Sequence, residues 1–283
     1  MKIETAKQKE WSPDKPCLKG AFPFRLGTTS YIIPNDILPN LIYLKDKIDD
    51  VELVLFESDE FSNLPSSETV REFADLGQKN NLTYTVHLPL DIRLGSANEM
   101  ERRASVEKCQ RVINLTTPLH PFAWILHLHG DHAGTPPTDD LPRWLEQNRR
   151  SLKELLNGGP TPRKICVETL DYDFNLVENL VEEFDLSVCL DMGHLIYHKY
   201  NVSAHLERWL DRARVFHIHG INNDGRDHCS LSYFPSGLLE DVAWRLSKLS
   251  SEDQRVVTME IFGEADFKTS LQTISERLTP WRK

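Results

Sequence analysis

Apolar and polar positions follow a repeating order along the chain. Short runs with a period of two alternate with longer stretches in which apolar residues recur every three to four positions. The strand-like runs fall at 24–33, 51–57, 82–88, 122–129, 164–170, 187–191, 214–219 and 255–261. Helical spacing fills the gaps. Ser66 or Ser67 caps a helix carrying Val70, Phe73, Ala74 and Leu76, because a serine oxygen accepts one of the free first-turn N–H groups. Stronger patterns follow at 97–115 and at 141–156, the latter stopped by Gly158-Gly159-Pro160. Weaker ones cover 36–47, 174–184, 203–211, 237–248 and 266–278. Eight strands, each followed by a helix, predict a TIM (β/α)8 barrel, with a doubly wound parallel sheet as the alternative. No linker or repeat divides the chain. A single barrel domain over 23–283 is expected, preceded by an arm over 1–22 in which Pro13, Pro16 and the following Pro23 prevent regular structure.

Side chains on a strand alternate between its faces, so parity locates the chemistry. Cys166 and Glu168 share a face, as do Ser187, Cys189 and Asp191. So do Ile125, His127 and His129; Val215, His217 and His219; Val256, Thr258 and Glu260; and, on the second strand, Leu53, Leu55 and Glu57. Each face runs from small or apolar residues to an ionisable one at its C-terminal end. Seven of the eight strand ends carry Glu, Asp or His. That is where a barrel enzyme builds its active site, above a packed interior. In Cys-Leu-Asp-Met-Gly-His, Asp191 ends a strand, the chain turns through Gly193, and His194 faces the same rim. Asp59 and Glu60 join the rim beside Glu57 or simply begin a loop.

Composition narrows the chemistry. The chain of 283 residues has 40% hydrophobic and 27% charged residues, as expected of a soluble globular protein with a sizeable core. It contains no apolar run long enough to span a membrane. Its first twenty residues lack the apolar core of a signal peptide. Five cysteines without a Cys-x-x-Cys pair argue against a disulfide framework and for a reducing cytoplasm. A net charge of −10 disfavours nucleic acid as a partner and leaves a small-molecule substrate. No nucleophile elbow or glycine-rich phosphate loop is present. Crowded carboxylates and imidazoles instead suit divalent cations, two or three per chain, of the zinc, manganese, iron or cobalt kind.

The motif order resembles the xylose-isomerase-like barrels, and particularly the apurinic endonuclease family with three metals. It is carried by His87 in Val-His-Leu-Pro-Leu, Leu-His-Leu-His-Gly-Asp-His at 126–132, Glu168, Asp191 and His194, His217 in Phe-His-Ile-His, and Glu260 in Met-Glu-Ile. The resemblance implies that Glu168 bridges two metals, with Asp191, His217 and Glu260 as further ligands and His194 turned to a third ion. It leaves His127 or His129 as the fourth-strand ligand. It also leaves open whether Asp227 and His228, adjacent here rather than spaced by one residue, both ligate. Within that superfamily the stretches 24–34, 52–60, 84–95 and 225–231 look most like the cobamide-remodelling phosphodiesterases, which open the nucleotide loop of a corrinoid. That implies hydrolysis of a small phosphodiester, with Glu168 and Glu260 catalytic. Glu57, Arg93, Arg226 and His219 are then candidate substrate contacts. The alternative is a one-metal sugar isomerase or epimerase; a non-catalytic binder is a third reading.

Overall fold

A computed structural model describes residues 17–58, 61–250 and 254–282. Eight parallel strands close into a barrel in chain order. They are β1 (Arg25–Thr29), β2 (Asp50–Val54), β3 (Thr83–His87), β4 (Trp124–Leu126), β5 (Ile165–Glu168), β6 (Ser187–Asp191), β7 (Ala213–Ile218) and β8 (Val256–Met259). The seam is ordinary pairing of β1 with β8, Gly27 beside Thr258. Two threonine hydroxyls reinforce it, Thr28 donating to the Met259 carbonyl at 2.9 Å and Thr29 to that of Ile261 at 2.6 Å.

Helices wrap the outside: α1 (Ile37–Leu44), α2 (Ser67–Asn80), α3 (Glu99–Thr116), α4 (Leu141–Leu156), α5 (Glu178–Glu183), α6 (Met192–Tyr197), α7 (Val202–Trp209), α8 (Leu238–Ser247) and α9 (Glu264–Arg277). Ser66 caps α2, its side chain accepting from the Thr69 N–H. The reading of 191–194 as a turn is corrected: Asp191 N-caps the short helix α6, and its Oδ1 accepts from the His194 N–H at 2.7 Å. Six residues containing a glycine are too few to show a helical period.

Of the expected arm, residues 1–16 lie outside the described residues, as do Asp59 and Glu60. Residues 17–22 pack on the barrel, with Leu18 and Phe22 buried and the Leu18 N–H bonded to the Lys47 carbonyl at 2.9 Å.

The larger core lies between sheet and helices and contains Val51, Leu53, Leu55, Val86, Leu126 and Val167 among others. The barrel interior is split. On one side Ala123, Ile125, Cys166, Cys189, Val215 and Val256 form an apolar plug. On the other, the same parity gives Gly27, Asp50, Glu52, Thr85 and Thr258, all of whose polar side chains are buried. This corrects the second strand. Leu53 and Leu55 face the helices, and Glu52, not Glu57, points inward. A barrel strand is buried on both faces, so its apolar parity does not identify the inner one.

Candidate metal centre

Glu168 ends β5 wholly buried, and its two oxygens serve different neighbours. Oε2 lies 2.9 Å from His127 Nε2 and 3.4 Å from His87 Nε2. Oε1 lies 3.4 Å from both His194 Nδ1 and His217 Nδ1. Around it, donor atoms of Glu168, Asp191, His217 and Glu260 fall within 4.8 Å of one another, as do those of His87, His127 and Glu168, and those of His194, His219 and His228.

Glu168 Oε1, Asp191 Oδ2, His217 Nδ1 and Glu260 Oε2 are all buried without a hydrogen-bond partner. Buried polar atoms are normally paired, since each orphan costs about 1–3 kcal/mol. Four converging orphans of oxygen and imidazole type fit a divalent cation.

The histidines support this one by one. A ligating imidazole uses one nitrogen for the metal and normally donates from the other to a fixed acceptor. His87 Nδ1 faces the Leu88 carbonyl at 2.8 Å, His127 Nδ1 faces His129 Nε2 at 3.1 Å, and His194 Nδ1 faces the Thr169 carbonyl at 3.2 Å. His217 Nε2 faces Glu52 Oε2 at 2.9 Å, and His228 Nδ1 faces Asp227 Oδ1 at 3.2 Å. For His87, His127, His217 and His228 the opposite nitrogen is left for the cluster, whereas His194 turns Nδ1 itself toward Glu168 Oε1 at 3.4 Å and Asp191 Oδ2 at 3.2 Å. His127 thus faces the cluster through Nε2, and His129 stands behind it. Burial pushes His129 down to about 3, with His127 and Arg93 adding to the effect, so it stays a neutral acceptor.

Asp227 and His228 act in series: Asp227 holds the ring, and His228 Nε2 turns toward Glu260 Oε2 at 3.4 Å. His219 is the reverse case. Its Nδ1 accepts from the His228 N–H at 3.0 Å, which puts the ring proton on Nε2, 3.3 Å from Asp191 Oδ1. It stacks on His228 with centroids 4.1 Å apart. It thus packs against both Asp191 and His228, and its buried Nε2 is left without a hydrogen-bond partner.

Without a metal these groups charge one another. Burial opposes ionisation of Glu168, but His127 and His217 hold it well below the carboxylate range. Glu260 is lowered likewise by His217, and Asp191 by His194 and His219, again against burial. Burial also opposes charging of the histidines, yet Asp191 and Glu168 raise His194 to about 10, and Glu260 and Asp227 raise His228 to about 9.

The remaining expected contacts divide. Arg93 is exposed on the loop after β3, its guanidinium bonded to the Gly130 carbonyl at 3.1 Å. Arg226 is exposed and bonded through Nε to Cys229 Sγ at 3.3 Å. Glu57 does not join the cluster: it is paired with Arg111 of α3 and accepts from Ser62 Oγ at 2.6 Å. Glu52 was missed. The available signal was its own parity with Asp50, one acidic residue above another on a strand whose other face is uniformly aliphatic.

A (β/α)8 barrel with a histidine and carboxylate cluster at the C-terminal strand ends defines a metal-competent barrel. The chain belongs to the xylose isomerase-like TIM barrel family, whose model matches residues 45–278. A search of curated proteins returns no match. Among solved structures it is similar to a D-tagatose 3-epimerase-like protein (TM-score 0.70, 18% identity, covering 90% of this chain and 97% of that one). It is also similar to the 3-keto-D-glucoside 4-epimerase of E. coli (0.67, 16%, 90% and 99%) and to endonuclease IV from Thermus thermophilus (0.63, 17%, 90% and 99%). At these identities the likeness is one of fold.

Proposed function

We propose that the chain is a metal-dependent phosphodiesterase acting on a small substrate, in its finest form the nucleotide loop of a cobamide. The observation that carries the hydrolytic reading is the surplus of ligands. Beyond Glu168, Asp191, His217 and Glu260, His87 and His127 turn Nε2 toward Glu168, and His194 and His228 bring donor atoms together at a second flanking position. Divalent ions held at two or three such positions would activate water and neutralise charge developing at phosphorus. Glu168 would be the shared carboxylate, with Asp191, His217 and Glu260 completing the central position. Arg93 is suited to a phosphate oxygen at the rim, where a guanidinium offers a two-pronged donor.

The mouth supports a substrate with a large apolar body. Of eight exposed large hydrophobic residues among those described, Phe61, Leu90, Tyr197, Tyr233 and Phe262 lie on segments that follow strand ends. Net acidity, which three dications would not reverse, favours an enclosed small molecule over duplex DNA. No helix among the described residues is long and apolar enough to cross a membrane. All five cysteines are free, which supports a reducing, cytoplasmic setting.

The second reading is a sugar isomerase or epimerase, with one metal at the central four ligands and Glu168 and Glu260 moving a proton. The structural comparisons lean this way, since the two epimerases score above the endonuclease. One-metal chemistry, however, gives His87, His127, His194 and His228 no task.

The test is an assay of purified protein, supplied with zinc, manganese, iron or cobalt, on a cobamide, on keto-sugars and on abasic-site duplex DNA, with metal counted by elemental analysis. Release of the lower-ligand nucleoside with two or three ions per chain is expected. Sugar turnover with one ion would replace the proposal by the second reading, and efficient DNA incision would replace it by a repair nuclease.

A further inference from the structure

We infer that Glu52 is a positioning residue of the metal centre, fixing which nitrogen of His217 coordinates and how basic that nitrogen is; this rests on the metal reading above. Glu52 lies on β2 and His217 on β7, 165 residues apart in sequence. The two strands are not neighbours, and β1 and β8 run between them. The reach across the interior is possible because those two strands contribute little bulk there. A Cβ built on Gly27 would sit 3.2 Å from Asp50 Cβ and 3.4 Å from Thr258 Oγ1, so a side chain at this position would crowd the space. Both partners are wholly buried, and the contact is a single short bond, Oε2 to Nε2 at 2.9 Å.

That bond places the ring proton on Nε2. The lone pair on Nδ1 then points at the cluster, 3.2 Å from Glu260 Oε2, 3.4 Å from Glu168 Oε1 and 3.7 Å from Asp191 Oδ2. Of the four acceptors that sit behind His87, His127, His217 and His228, one is a backbone carbonyl, one is an imidazole and one is the partly exposed Asp227. Glu52 is the one fully buried carboxylate. A carboxylate opposite the donor nitrogen shifts electron density toward the ligating one and strengthens it as a ligand. A buried carboxylate that merely filled the barrel would be a costly choice next to the apolar plug on the other side. A cation bound through His217 would offset that cost.

The proposal separates from a purely structural role by metal affinity. Wild type, Glu52→Gln and, as an interior control away from His217, Thr85→Val are stripped of metal. They are then titrated with zinc and cobalt against a chromophoric chelator, well below the unfolding temperature of each. Glu52→Gln keeps the volume and an acceptor oxygen but removes the charge. Its tightest site is expected to weaken roughly 10- to 100-fold, with altered visible bands of the cobalt form, while Thr85→Val stays within about twofold of wild type. Wild-type affinity and bands in Glu52→Gln overturn the inference even if the metal-free variant melts earlier, since Glu52 is then only a packing residue. If Glu52→Gln does not fold, Glu52→Asp gives the same readout, an intermediate loss supporting the inference and none overturning it. A wild-type protein that binds no divalent ion overturns the metal reading itself, and the inference with it.

Discussion

Asp50 is a buried carboxyl that no ligand role accounts for, and replacing it should stabilise the protein in a pH-dependent way. Burial raises it from 3.8 to about 6; the Thr83 and Thr85 hydroxyls and Arg25 pull the other way, and Glu52 adds to the rise. A carboxyl that holds its proton more tightly in the folded state contributes stability that is fully present below its unfolded value. That contribution is lost as pH rises through the folded value. From 3.8 to about 6 the total loss is about 3 kcal/mol. Asp50→Asn removes the ionisation without changing shape. It weakens one bond, that from Thr83 Oγ1 to Oδ2 at 2.5 Å, by about 1 kcal/mol. The net gain expected at about pH 7.5 is therefore about 2 kcal/mol. About 1.4 kcal/mol of the carboxyl's contribution is lost between about pH 5 and pH 7.5, so the advantage of the variant should shrink by that amount at the lower pH. Urea denaturation of metal-free wild type and variant at several pH values measures it. A stability difference that does not change across this range would show that Asp50 is not held in a charge-hostile site, and the reasoning would fail.

Glu168→Gln should lose most bound metal and activity with an unchanged far-UV circular dichroism spectrum; full metal content would remove Glu168 from the centre. Gly193→Ala should cost about 1–3 kcal/mol in stability and displace His219, because the new Cβ would lie 2.1 Å from its Nε2. A crystal structure of that variant with the His219–His228 stack intact would contradict the steric argument. Since His194 is raised to about 10 and His228 to about 9 in the metal-free protein, both carry protons near neutral pH, and an ion binding there must displace them. Affinity should therefore rise with pH up to about 10, with roughly two protons released per ion below about pH 9. Calorimetry in buffers of different ionisation enthalpy counts them, and zero release would refute the charge assignment.

Much of the barrel was legible because each strand is short and bounded, and because ligand-bearing parity repeats from strand to strand. Six of the strand faces read from the chain could be compared, and β2 alone was inverted. Its helix-facing residues, Val51, Leu53 and Leu55, are as apolar as an interior face, and Glu57 beyond the strand completed a false pattern. The true inner residue, Glu52, looked like a solvent-exposed alternation. The tautomer logic was also out of reach of the sequence. His127 and His129 have the same parity, and His219 has that of a ligand. Only the groups around each ring separate histidines of equal parity. Prolines report local backbone limits and say nothing of Leu18 and Phe22 finding a hydrophobic surface.

A closed ring of hydrogen bonds has no first strand. The residues at the centre enter the chain at positions as far apart as 52 and 260, yet around the barrel none is earlier or later than another. The order in which the ribosome delivers them is therefore incidental to the chemistry. New ends opened in the exposed Gly158–Gly159 turn, which precedes β5 on the face away from the ligands, would leave every ligand at its own strand end. The linear sequence is one of several cuts through the same circle.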